Sequence, residues 1–154
     1  MEDSFKNWRG MIETKARRIA RSILIDQHSV RFLKKEEIDY LKKFSIISDY
    51  LINREEEIKI KNANPDKFLT NIGTFRIYIL NYLKNNQNIV NNNYDLPLMV
   101  RQLEPTPYGI PLQIYAFVKT TELLEYEQIQ SDIFDHILAI MPEFDIRLYQ
   151  VISK

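Results

Sequence analysis

Leu98 to Lys119 reads LMVRQLEPTPYGIPLQIYAFVK, and the fold is decided there. Two apolar runs, 98–104 and 112–119, flank Pro105, Pro107, Gly109 and Pro111. Proline pre-sets φ and glycine frees it, so the middle reads as a stiff turn and the flanks as a β-hairpin. In the second strand Leu112, Ile114, Ala116 and Val118 share one face by the period of two. Gln113, Tyr115, Phe117 and Lys119 share the other. That second face is only partly polar, which predicts that it meets a partner surface.

Downstream, Tyr126, Ile129, Ile133, Ile137 and Met141 recur at helical spacing, with Thr120 or Thr121 as the cap. Pro142 stops that helix, and IRLYQV at 146–151 reads as a last strand. Upstream, Thr70 or Asn71 can cap a helix on which Ile72, Phe75, Ile79 and Leu83 form a stripe. Ile77, Tyr78, Leu80 and Tyr82 widen it nearly all round, so this helix is expected to be covered on more than one side. Asn85 to Asn93 reads as a loop. Ile19, Ile23 and Ile25 alternate as a first strand, with Arg21 interrupting their face. Between them, 34–61 carries Ile38, Leu41, Ile47, Leu51 and Ile58 at helical spacing, with Glu55–Lys59 and Glu57–Lys61 as i,i+4 pairs. It reads as one long helix or a helical hairpin, and Pro65 marks a break after it.

The order is strand, helical insert, helix, strand, strand, helix, strand. The expected class is α+β: a ferredoxin-like βαββαβ two-layer sandwich with an additional helical insert, 34–67, after the first strand. Right-handed crossovers then put both main helices on one face of a four-stranded antiparallel sheet.

Composition narrows the function. The 21 Lys and Arg balance the 21 Asp and Glu, so no global field draws the chain to nucleic acid or acidic lipid. With no cysteine, disulfides, thiolate catalysis and cysteine metal sites are excluded. No apolar run reaches the roughly 18 residues of a membrane helix. Met1-Glu2-Asp3 is an acidic start, unlike a signal peptide.

Candidate chemistry is sparse. Asp132, Asp135 and His136 fall at i, i+3 and i+4, a spacing that could hold a metal. The reading preferred for them is a solvated polar face, with His136 bonding a nearby carboxylate. The basic run Lys15, Arg17, Arg18 and Arg21 could touch phosphates, but no aromatic residue interleaves with it as a stacking platform requires. Asp95 is a lone carboxylate beside the asparagine-rich loop, too few for calcium. Arg76 and Arg101 have no Gly-rich phosphate loop beside them, and no G-x-S-x-G elbow occurs. No catalytic, cofactor-binding or metal-binding residue is assigned, and no cofactor is expected.

Several words carry a likeness. They are TNIGTFRIYILNYL at 70–83, LMVRQLEPTPYGIPLQIYAF at 98–117, YEQIQSDIFDHILAIMPEF at 126–144, and RLYQ at 147–150. Together they resemble the C-terminal cytosolic domain of MscS-type mechanosensitive channels, and look closest to the miniconductance, YbdG-like branch. NWRG at 7–10 and RRI at 17–19 are similar to that branch's passage out of its small β domain. The likeness is weakest over 34–67.

The resemblance implies a tension-gated membrane channel for osmotic downshock, not an enzyme. It implies residues 1–14 as the tail end of the small β domain and 15–154 as the mixed α/β vestibule domain. It implies copies of the chain in a ring, a heptamer for the full-length channel, at the cytoplasmic face of the bacterial inner membrane. The membrane would be reached through N-terminal helices absent from this chain, and no nucleic acid would be bound. Tyr115, Phe117, Tyr78 and Tyr82 are the candidate subunit contacts. The rival expectation is a soluble ferredoxin-like module that binds a small molecule, because fold alone does not choose between them.

Overall fold

The computed structural model describes residues 15–151. The expected remnant of a preceding domain, 1–14, lies outside the described residues. Strand β1 is Arg17–Ile25, β2 is Met99–Gln102 and β3 is Ile110–Val118. They form an antiparallel sheet in the order β1-β3-β2. The hairpin forms as its sequence demands, with Met99 opposite Tyr115 and Gln102 opposite Leu112. β1 pairs with β3 over its whole length, from Arg17 opposite Val118 to Ile25 opposite Ile110.

Four α-helices accompany the sheet among the described residues: α1 Lys35–Leu41, α2 Ser45–Lys61, α3 Asn71–Lys84 and α4 Leu123–Ile140. The class is α+β. The insert is a helical hairpin, broken at Lys42 to Phe44. Of its two expected ion pairs, Glu57–Lys61 forms at 3.0 Å. Glu55 instead reaches across to Lys42, tying α2 to the end of α1.

The sheet has two different faces. Ile19, Ile23 and Ile25, with Leu112, Ile114, Ala116, Val118 and Val100, pack in one core with α3 and α4. Its helical side includes Phe75, Ile79, Leu83, Ile133 and Ile137. The opposite face forms a smaller cluster of Ala16, Leu96, Tyr115 and Phe117, edged by Val90 and Met99. Here the asparagine-rich segment does more than connect. Ile89 bridges to Val118, Val90 N–H donates to the Phe117 carbonyl at 2.8 Å, and Lys119 N–H donates to the Asn88 carbonyl at 2.8 Å.

The caps differ in detail from expectation. Thr70 is the N-cap of α3, its hydroxyl accepting from Gly73 N–H at 3.0 Å. Glu122 occupies the N-cap position of α4 without a side-chain cap bond, while Thr120 Oγ1 accepts from Glu122 N–H at 3.2 Å. The expected fourth strand is reduced to a single antiparallel bridge between Ile25 and Leu148. Its bonds run from Asp26 N–H to the Arg147 carbonyl at 2.8 Å and from Tyr149 N–H to the Leu24 carbonyl at 2.9 Å.

Gly109 makes that junction possible. Its φ is 106°, and a Cβ there would lie 2.6 Å from the Ile25 carbonyl oxygen and 3.0 Å from Tyr149 Cβ. The hairpin turn and the end of β1 therefore touch backbone to backbone, with the Tyr149 side chain of the tail packed beside them. Gly109→Ala is expected to cost about 1–3 kcal/mol, since an alanine must hold a conformation it disfavours while pushing on a main-chain atom. Urea unfolding should show it as a lowered midpoint with an unchanged slope.

Candidate functional site

The folded chain brings together two sets of residues that the sequence keeps apart. Tyr78 and Tyr82 lie one turn apart on α3, and His136 lies on α4. The His136 ring stacks on Tyr82 with centroids 4.0 Å apart and planes 2° apart. His136 Nε2 and the Tyr78 hydroxyl are hydrogen-bonded at 2.8 Å. Tyr78 continues the chain of rings edge-on to Phe44, at 5.9 Å, and to Phe144, at 5.5 Å. One imidazole thus joins both main helices, and through Tyr78 the insert and the turn after α4.

This corrects the preferred reading of His136, whose partner is a tyrosine hydroxyl and not a carboxylate. Asp132 accepts from Gln128 Nε2 at 3.1 Å on its own helix. Among the described residues, no group of three or more His, Asp or Glu converges as a metal site would. Burial pushes the His136 pKa below the ordinary imidazole value, and burial raises the Tyr78 and Tyr82 hydroxyls.

The fold therefore favours neutral His136, and the unfolded chain binds a proton more readily as pH falls below about 6.5. Stability from this ring is fully present above that pH and lost as pH falls through the lowered folded value. Thermal melts at pH 7.5 and 5.5 should show a smaller acid-induced loss for His136→Gln than for the unaltered chain. Equal losses would show that other groups set the pH response.

The four candidate contact residues occupy unequal places. Phe117 is fully buried, and Tyr78 and Tyr115 are nearly so. Phe117 and Tyr115 lie 5.7 Å apart, edge to face, beside Val90 and Leu96. The partner that the second sheet face called for is the chain's own loop. Tyr82 alone of the four is only partly buried, packed against the main core.

The basic run also has company that its sequence conceals. The Arg17, Arg18 and Arg21 guanidinium groups lie over Tyr126, Tyr115 and Phe134, at 5.0, 5.8 and 4.3 Å from the ring centres. Those aromatics come from α4 and β3. Guanidinium–ring contacts of this kind hold the charged ends near the sheet.

Asn71 forms a polar node that no sequence pattern announces. It is fully buried at the first turn of α3. Its Oδ1 accepts from Arg31 N–H and Ile72 N–H, both at 2.9 Å. Its Nδ2 donates to the Ser29 carbonyl at 2.8 Å and more weakly to that of Asp145 at 3.4 Å. The Arg31 side chain clasps Glu37 through two bonds, at 2.8 and 2.5 Å, and Asp145 at 3.1 Å. The Arg31 bonds hold the Glu37 carboxyl down at about 2. Half-exposed ion pairs of this kind add little stability by themselves, whereas a buried amide with all its bonds made is costly to disturb.

A groove of about 490 Å³ separates α1 from α2, with Lys35, Asp39, Lys42, Glu55 and Lys59 on its rim and Ile58 on its floor. The Lys42–Glu55 pair lies across it. Charges of both signs alternate there without converging on one point.

The family model for the C-terminal part of the mechanosensitive ion channel MscS matches residues 52–148, more than half of the chain. The chain belongs to the MscS family. No solved structure matches it. The matched span of this MscS domain runs from within α2 through the Leu148 bridge, and so contains α3, the hairpin and α4. It includes Asn71 and the Tyr78–His136–Tyr82 stack. It excludes β1 and α1, although β1 is built into the same sheet. The MscS family is one of channels and not of enzymes. Among the described residues, no helix is long and apolar enough to cross a membrane.

Proposed function

We propose that this chain is the cytosolic vestibule domain of a tension-gated MscS-like channel, of the miniconductance, YbdG-like branch, that protects a bacterial cell against osmotic downshock. The family match over α3, the hairpin and α4 carries this reading. The branch assignment rests on the sequence words at 70–83, 98–117 and 126–144. In this reading residues 1–14 end a preceding small β domain, 15–154 form the vestibule wall, and 34–67 are the helical insert. The sheet is of the ferredoxin-like type, with the tail bridge at Leu148 as the remnant of its fourth strand. Membrane segments outside this sequence carry the pore. Copies of the chain, seven in the full-length channel, surround the vestibule, and Tyr82 is the candidate aromatic contact between them.

The chain then contributes shape and not chemistry. Its task is to hold a wall in place beneath a pore while solutes pass. That task asks for a rigid sheet and pinned helix ends, and the Asn71 node and the ring stack supply such pins.

The deciding experiment uses the complete gene that encodes this chain. Expressed in bacteria stripped of their own mechanosensitive channels, it should restore survival of downshock and give tension-activated currents in membrane patches. Absence of both from a protein that reaches the membrane would overturn the reading. The isolated chain should scatter light mostly as a monomer at low micromolar concentration, because the tethering that raises local concentration in a ring is missing.

The groove between α1 and α2 favours the rival, a small-molecule-binding module. A native-state ligand must raise the melting temperature by mass action. Charged metabolites that raise it, with the rise lost in Lys42→Ala, would favour that module.

A further inference from the structure

Among the described residues, the outer side of β1 is left open over a short interval. β1 is an end strand, and in an antiparallel ladder alternate residues turn their N–H and C=O groups to opposite sides. The Leu24 carbonyl and Asp26 N–H bond to the tail at Tyr149 and Arg147, so the even-numbered residues face outward. At the other end, the outward carbonyl of Arg18 accepts from the Tyr126 hydroxyl at 2.6 Å. Between these two closures lie Ala20 and Ser22. Among the described residues, no backbone hydrogen bond reaches their outward groups. Ala20 and Arg21 are exposed. An open interval of this kind is a template for one more strand.

Charge narrows the occupant. Arg17 and Arg21 flank the interval on the α4 side of the sheet, and Arg18 flanks it on the other. None of the three forms an ion pair with a carboxylate among the described residues. Pairing of β1 with β1 of a second copy, centred on the interval, would set Arg21 against Arg21. Pairing with the outer edge of a second copy's β2 would add Arg101 to the same cluster. Like charges opposite one another in a ladder are unfavourable.

We propose that Ala20 to Ser22 is a strand-addition site for an extended, acidic segment of a partner protein. The segment's backbone bonds to the outward groups of Ala20 and Ser22. Its carboxylates, at every second position, share one face and meet Arg17 and Arg21 on the α4 side of the sheet. The closures at Arg18 and Leu24 limit the docked length to roughly five residues, an ordinary strand. This site is independent of the channel reading.

Amide hydrogen exchange of the full chain, followed by NMR, tests it with two peptides, TEVEVET and TKVKVKT. The acidic peptide should slow exchange at Ala20 and Ser22 by about tenfold or more, through the protection that added hydrogen bonds give. Raised salt should weaken the effect, and the lysine peptide should not produce it. Arg21→Glu should abolish the response to TEVEVET. So should Ala20→Pro, which deletes an outward N–H at a position where an end strand tolerates proline. A melt of each variant shows whether the fold persists. Equal protection by both peptides, or by neither, overturns the proposal. Protection already present in the dilute free chain would mean that its own residues fill the edge. Protection that grows with chain concentration alone would mean that a second copy does. Either outcome also overturns the acidic partner.

Discussion

Asn71→Ala is expected to lower the unfolding free energy by about 3–5 kcal/mol. The change leaves the Arg31 and Ile72 N–H groups and the Ser29 carbonyl without their partner, in a place where Asn71 has no exposed surface. Each orphaned buried group costs about 1–3 kcal/mol, and water entering the space recovers part of that. Asn71→Asp separates the donor from the acceptor role. It keeps the oxygen that accepts from Arg31 and Ile72, and its charge sits at a helix N-terminus, which favours it. It loses the bond to Ser29 and sets an anion against that carbonyl. The aspartate variant should therefore fall between alanine and the unaltered chain in urea unfolding. An alanine variant that loses less than about 1 kcal/mol would show that the node is ornamental.

Ile133→Ala should cost about 2–5 kcal/mol, as deletion of a well-packed aliphatic side chain does. Ile133 is 1% exposed and sits in the main core between α4 and the sheet. Its neighbour Asp132 is exposed and bonded only within its own helix, so Asp132→Ala should cost less than about 1 kcal/mol. Denaturant melts that rank the two in the opposite order would show that α4 is rotated about its axis from the arrangement described.

What can be read from the sequence is what repeats. The hairpin at 98–119, the apolar stripe of α4 and the breadth of α3 stem from periods of two and 3.6, and each takes its expected form. The helical hairpin over 34–61 is legible for the same reason. Its cross-link is not, because Glu55 has an equally good partner at i+4 in Lys59 and nothing in the spacing favours Lys42. The cover on the back face of the sheet is hidden because Val90 and Leu96 sit six residues apart in an asparagine-rich segment that repeats neither period. Two such residues have no period, yet with Ala16 and Met99 they cover Tyr115 and Phe117.

The candidate site is harder still. Tyr78, Tyr82 and His136 each stand out in the sequence, but the two tyrosines read as surface contacts and the histidine as part of a polar face. What joins them is the packing of α3 beside α4, a distance of 58 residues along the chain for Tyr78 and His136. Asn71 reads as one of two possible helix caps, and the side chain one residue earlier takes that role. A single buried amide that ties three segments leaves no pattern in sequence. It can be suspected only where a polar residue begins a helix expected to be covered on several sides.

The pairing of β1 with β3 has a consequence in time. β1 ends at Ile25 and its partner begins at Ile110, so 85 residues (110 − 25) separate the ends that meet. At about 5–20 residues per second of synthesis, β1 waits roughly 4–17 s for its partner to be made. During that wait Ile19, Ile23 and Ile25 form an unmatched apolar strand, the kind of segment that associates with the wrong neighbour. The three arginines spaced along it at 17, 18 and 21 act as gatekeepers, keeping nascent copies apart until β3 arrives. A gene fragment trimmed to the matched residues 52–148 would escape that wait but leave the inner edge of β3 bare, and should yield aggregate where the longer chain yields a soluble domain.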